Sequence, residues 1–132
     1  MYITPIYAAL LSLVFILLSI KVIKTRRMAK VAIGDGRNAQ LQRAIAVHNN
    51  FAQYVPLSLL LIYFCELDHA PQLLIHALGV SLLISRLVHA YGVSQQIENF
   101  RLRVFGMVTN FTVLGIAVLF LLSHAVLIVA HA

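Results

Sequence analysis

Residues 43–64 read RAIAVHNNFAQYVPLSLLLIYF, and the change of character inside that stretch decides the fold. Arg43, His48, Asn49, Asn50 and Gln53 make its first half polar, while Leu57 to Phe64 is almost wholly apolar. Together with the preceding Gln40 and Gln42 it reads as one helix from about Ala39 to Cys65. The apolar half is a bilayer segment, and the polar half lies near one membrane face or looks into a helix bundle. Upstream, Asn38 reads as the N-cap, and Gly34-Asp35-Gly36 supplies a turn where positive φ is available. Before that turn come five basic residues between Lys21 and Lys30, and before them an apolar run from Ile3 to Ile23 with Pro5 in its opening turn. That run has no basic residue ahead of it and no small-residue cleavage site after it, which argues against a cleaved signal peptide. Downstream, Glu66 to Pro71 is a short acidic connection, a third apolar run follows, Gly92 and Ser94 to Asn99 form the next connection, and a fourth apolar run reaches Ala130.

Composition agrees with four spans. The 132 residues are 61% hydrophobic and 11% charged, with a mean hydropathy of +0.93, whereas soluble domains carry charge on roughly a quarter of their residues. Four spans of about 20 residues use roughly 80 positions and leave about 50 for ends and connections. The expectation is an all-α integral membrane protein, one four-transmembrane-helix bundle over residues 1–132, with spans at about 3–23, 43–65, 72–91 and 104–130. A soluble enzyme fold, a second domain and a long disordered tail are excluded on the same count.

Ten Lys and Arg against four Asp and Glu give a net charge of +6. In a soluble chain that excess suggests nucleic acid, but here the basic residues gather around the first and third connections. Beside apolar spans such patches meet an anionic leaflet, at about 1 kcal/mol per residue, so no nucleic-acid partner is expected. The second connection holds Glu66 and Asp68 and no Lys or Arg. The positive-inside rule then places both basic connections in the cytoplasm and both termini outside. Cys65 is the single cysteine, and the six histidines, His48, His69, His76, His89, His124 and His131, are scattered. Neither pattern predicts a disulfide or a metal site.

Ionisable groups within spans are functional candidates by default, although Lys21 and Lys24 read as snorkelling side chains near a span's end. Arg43, Asn50 and Tyr54 stand at i, i+7 and i+11, on one helical face. Arg86 and His89 are i, i+3 neighbours on the third span, and Arg103 opens the fourth at the same level. With Glu98 as the only nearby carboxylate, such a cluster suits an anionic or peptide-like ligand. The alternative is interhelical hydrogen bonding with headgroup contacts. A proton-coupled transporter normally needs an acid within a span, and Glu66 and Asp68 sit in a connection.

The order and placement of these pieces resemble the MAPEG family, the membrane-associated proteins in eicosanoid and glutathione metabolism, most closely its small bacterial branch. The resemblance rests on four spans, a basic first connection with Gly34-Asp35-Gly36, Arg43 followed by His48-x-Asn50-x-x-Gln53-Tyr54-x-Pro56, then Arg86-x-x-His89 and Arg103-x-x-Gly106-Met107. It implies a homotrimer in a bacterial inner membrane, with glutathione as co-substrate between subunits near the cytoplasmic face. Asn50, Gln53, Tyr54, Arg86 and His89 match ligand-contacting positions, and Arg103 matches an arginine that stabilises the glutathione thiolate. The chain departs from the family pattern at Ala46, where an Arg usually binds a ligand carboxylate, at Gln53, commonly Glu, and at Val93, frequently Tyr. Arg43, one helical turn from position 46, stands in for the missing Arg. The resemblance thus implies a glutathione transferase or peroxidase acting on lipophilic electrophiles, and the departures imply the alternative of a non-catalytic lipid- or ligand-binding membrane protein.

Overall fold

A computed structural model describes residues 2–95 and 97–130, so His131 and the C-terminal Ala132 lie outside the described residues. Four helices follow one another: α1 (Thr4–Ala29), α2 (Ala39–Leu67), α3 (Gln72–Ser94) and α4 (Phe100–Ala130). The shortest has 23 residues, about 35 Å at 1.5 Å per residue, which exceeds the roughly 30 Å hydrocarbon core of a bilayer. All four are long and apolar enough to cross a membrane.

Local chemistry sets where each helix begins and ends. Pro5 occupies the first turn of α1, and the helix closes on Lys30 in the left-handed region, with Arg26 and Arg27 in its last turn. The connection then turns through Gly34 (φ 74°) and Gly36 (φ 56°), and the Asn38 side chain caps α2 by accepting from the Leu41 amide at 2.9 Å. Pro56 lies inside α2 without ending it, and two residues on the Ser58 hydroxyl donates to the Tyr54 carbonyl at 2.8 Å.

Helices α2 and α3 form the middle of the bundle. α1 packs against both on one side and α4 against both on the other, and among the described residues α1 and α4 do not meet. Leu11, Phe51, Val55, Ile62, Ile75, Leu82, Val113 and Ala117 fill the interior. Large apolar side chains such as Leu13, Leu17, Leu73, Leu119, Leu122 and Val126 point outward. Water does not tolerate a continuous apolar exterior of this kind, whereas a bilayer requires one.

The two ends of the bundle differ in sign. At one end the Glu66 carboxylate accepts the backbone N–H groups of Ile3 and of Thr4, so a residue beyond the apolar part of α2 caps the start of α1. Tyr7 and His76 meet there at 2.8 Å, and Asp68 pairs with His124 at 3.2 Å. At the other end Lys21 donates to Ser94 at 3.0 Å and Arg43 donates to the Gln95 carbonyl. Both basic connections therefore share one end, and the acidic connection shares the other with the starts and finishes of the outer helices.

Candidate functional site

Arg86 holds the centre of the polar cluster. It lies on α3, is 1% exposed, and its guanidinium reaches both α2 and α4. One terminal nitrogen donates to Asn50 Oδ1 of α2 at 2.9 Å. The other donates to the Gly106 carbonyl of α4 at 3.0 Å and lies 3.8 Å from Met107 Sδ. Its Nε faces Ser85 Oγ at 3.4 Å, and the Tyr54 ring lies 5.8 Å from its central carbon. A planar fork of five donors suits this task, since it satisfies separate acceptors on two helices at once. Every hydrogen-bond partner named is neutral, so the charge is held by dipoles and by a ring face.

The approach of α4 to α3 depends on Gly106. A Cβ there would lie 2.7 Å from the Ser85 carbonyl oxygen and 2.7 Å from His89 Cβ, closer than packed atoms tolerate. Glycine at this position brings the helices together and leaves its own carbonyl within reach of Arg86.

In front of this brace lies a cavity of about 560 Å³, lined by Gln42, Arg43, Ala46, Asn50, Tyr54, His89, Val93, Glu98, Arg103 and Met107. Its size falls within the roughly 300–1,000 Å³ of small-molecule sites. α2, α3, α4 and the connection before α4 all contribute to its lining. Arg103 pairs with Glu98 at 2.8 Å, with both side chains well exposed. His89 is almost fully buried, and its Nδ1 faces the Arg103 carbonyl at 3.3 Å. The Tyr54 ring is braced edge-on by Phe111, with ring centres 5.6 Å apart.

Five of the residues singled out from the sequence, Arg43, Asn50, Tyr54, His89 and Arg103, thus line one cavity. Arg86 stands behind it and acts on its shape through Asn50. Gln53 is exposed and is not part of the lining. Ala46 and Val93, two of the departures from the family pattern, are both in the wall, so their small side chains widen the cavity. Met107 and Phe111 carry no charge or titratable group that marks them in the sequence as site residues. Their spacing carried the signal: Arg103, Met107 and Phe111 recur every four residues along one face of α4. Three of the chain's glycines sit at close contacts within the bundle, since a Cβ at Gly79 meets Tyr7, one at Gly92 meets Leu102, and one at Gly106 meets α3; only Gly115 among the span glycines faces open space. Among the described residues no group of three His, Cys, Asp or Glu side chains is placed to hold a metal ion.

A bundle of four membrane-length helices with an apolar exterior and a polar cavity near one end is a multi-spanning membrane protein. The MAPEG family profile matches residues 4–126, essentially the whole bundle, and the chain belongs to that family. It is 35% identical over 117 residues to Inner membrane protein YecN of Escherichia coli (strain K12), a match covering 89% of this chain and 88% of that protein. The protein of the same name from Escherichia coli O6:H1 matches at the same identity and coverage. That name states a location and no activity.

Proposed function

We propose that the protein is a glutathione-dependent membrane enzyme of the transferase or peroxidase type, acting on lipophilic electrophiles as a homotrimer with both termini outside the cytoplasm. The observation that carries this reading is the convergence of Arg43, Asn50, Tyr54, His89 and Arg103 on a single cavity with one carboxylate, Glu98, in its wall. Glutathione has two carboxylates, an ammonium group and a thiol, and the donor set suits it. Arg43 and Asn50 meet carboxylate and amide oxygens, Glu98 lies within the same wall for the ammonium, and Arg103 faces the thiol. Gln53 lies on the exposed side of α2, and in this reading it meets a ligand held by a neighbouring subunit.

A thiol of pKa about 8.5 is mostly protonated at neutral pH, and an adjacent guanidinium favours the nucleophilic thiolate. In the transferase reaction the thiolate sulfur bonds to an electrophilic carbon delivered through the bilayer, and the leaving group departs with the electron pair of the broken bond. In the peroxidase reaction one thiolate attacks a lipid hydroperoxide oxygen, releasing the alcohol, and a second glutathione closes the disulfide with loss of water. Arg86 is a positioning residue in this scheme, holding Asn50 toward the cavity.

Calorimetric titration of the purified protein with glutathione, together with conjugation of an activated aryl chloride, tests the proposal; absence of both binding and conjugation overturns it. A second reading, a non-catalytic ligand- or lipid-binding protein, is favoured by Ala46 and Val93 in the wall and by the Arg103–Glu98 pair. The double variant Ala46→Arg, Gln53→Glu separates the two. A gain in glutathione affinity of roughly tenfold or more, from a charged contact regained, shows a site retuned away from that ligand, and unchanged affinity counts against the second reading.

A further inference from the structure

A second cavity, of about 330 Å³, opens beside the first, at the basic end of the bundle between α1, the first turns of α2 and the end of α3. Lys21, Gln40, Arg43 and Ser94 supply its polar groups, Ala39 and Ala44 complete it, and among the described residues no carboxylate lines it. The Lys21 ammonium is held in place by its hydrogen bond to Ser94 Oγ at 3.0 Å, which uses one of its three donors. Arg43 stands between the two cavities and lines both. The start of α2 adds to the positive field. The Asn38 side chain caps the Leu41 amide, the first turn contains no acidic residue, and Ala39 and Gln40 of that turn lie in the cavity wall. An ammonium, a guanidinium, a hydroxyl and a carboxamide around a pocket of this size match a compact tetrahedral oxyanion better than a peptide.

Depth limits where that oxyanion comes from. Lys21 lies about 26 Å along α1 from Thr4 at 1.5 Å per residue, near the far edge of the hydrocarbon core, while Arg26, Arg27 and Lys30 lie farther out. The cavity therefore opens at the level of phospholipid phosphates, within reach of the aqueous phase.

We propose that this cavity is a phosphate-type anion site, separate from the larger cavity, in which Lys21, Ser94 and Gln40 join Arg43 in holding a phosphate oxyanion. The anion is either an anionic phospholipid headgroup or free phosphate, since both present the same oxygens.

The test uses the full-length protein in nanodiscs and reads the acylation of Lys21 relative to Lys24 on the same molecule by mass spectrometry. Lys24 is exposed one turn farther along α1 and is absent from the cavity wall, so it reports the general surface potential. In the first arm, phosphatidylcholine nanodiscs receive inorganic phosphate against chloride at equal ionic strength. In the second, phosphatidylglycerol replaces phosphatidylcholine in phosphate-free buffer. Selective protection of Lys21 in the first arm supports a free-anion site, and protection confined to the second supports a headgroup site. Equal protection of Lys21 and Lys24, or no protection in either arm, overturns the proposal. Where protection is seen, Lys21→Gln is expected to weaken phosphate or phosphatidylglycerol binding roughly tenfold or more, the loss of a hydrogen bond to a charged group, and Lys24→Gln to leave it unchanged. Equal effects of the two substitutions also overturn it. Arg43 is left intact throughout because it belongs to both cavities, and size-exclusion elution confirms that each variant is folded.

Discussion

Replacing Arg86 separates a brace from a ligand contact. The Arg86 guanidinium makes two strong interhelical hydrogen bonds, to Asn50 at 2.9 Å and to the Gly106 carbonyl at 3.0 Å. Interhelical hydrogen bonds in membrane proteins contribute about 0.6 kcal/mol on average and up to about 1.7 kcal/mol each. Two of them, with the packing lost when a fully buried side chain is truncated, set the cost of Arg86→Ala at about 2–4 kcal/mol. Arg86→Lys is expected to cost roughly half as much, because a single ammonium reaches one of the two acceptors and lacks the fork that spans both. Reversible unfolding in mixed micelles of increasing dodecyl sulfate content, followed by circular dichroism, measures the loss. A double-mutant cycle with Asn50→Ala isolates the pair, with an expected coupling of about 0.5–1.7 kcal/mol. Full stability of Arg86→Ala combined with loss of glutathione binding refutes the reasoning, since the side chain then serves the ligand and does little for the bundle.

Arg103→Ala is expected to lower glutathione-dependent turnover on the order of a hundredfold, as removal of a group that stabilises developing negative charge does. It should leave ligand affinity largely intact and change stability by less than about 1 kcal/mol, because its ion pair with Glu98 is exposed; steady-state kinetics and calorimetry read the two effects. Gly106→Ala is expected to cost about 1–3 kcal/mol, because its methyl group meets the rigid Ser85 carbonyl, and micellar unfolding should show it. Glu66→Gln should weaken the cap on α1 by about 1 kcal/mol, seen as faster hydrogen exchange at the Ile3 and Thr4 amides with little change elsewhere.

Much of the site was legible because it follows helical periodicity. Arg43, Asn50 and Tyr54 share a face by spacing alone, and that face lines the cavity. Periodicity does not say which neighbour a face meets. Its place within a span marks Arg86 as an anion-binding candidate, yet its donors go to Asn50 and Gly106, and that assignment needs the position of α4. Gln53 is adjacent to Tyr54 in sequence and lies outside the lining, because one step along a helix turns a side chain by about 100°. In the sequence Glu66 is only part of an acidic connection, and its capping of a helix 63 positions earlier depends on α1 and α2 being antiparallel neighbours.

The sequence by itself determined that the chain crosses a membrane in four helices, that its basic connections share one end, and where its turns fall. Those properties depend on segment hydropathy, loop charge and turn chemistry, each decided within about 20 consecutive residues. Only the tertiary structure decided that Arg86 braces three helices, that Ala46 and Val93 widen a common cavity, and that Lys21, Gln40 and Ser94 enclose a second one. Among them, Arg86 and Asn50 are 36 positions apart and Lys21 and Ser94 are 73 apart. Their meeting is set by how closely the helices pack, and at the α3–α4 contact Gly106 sets that distance.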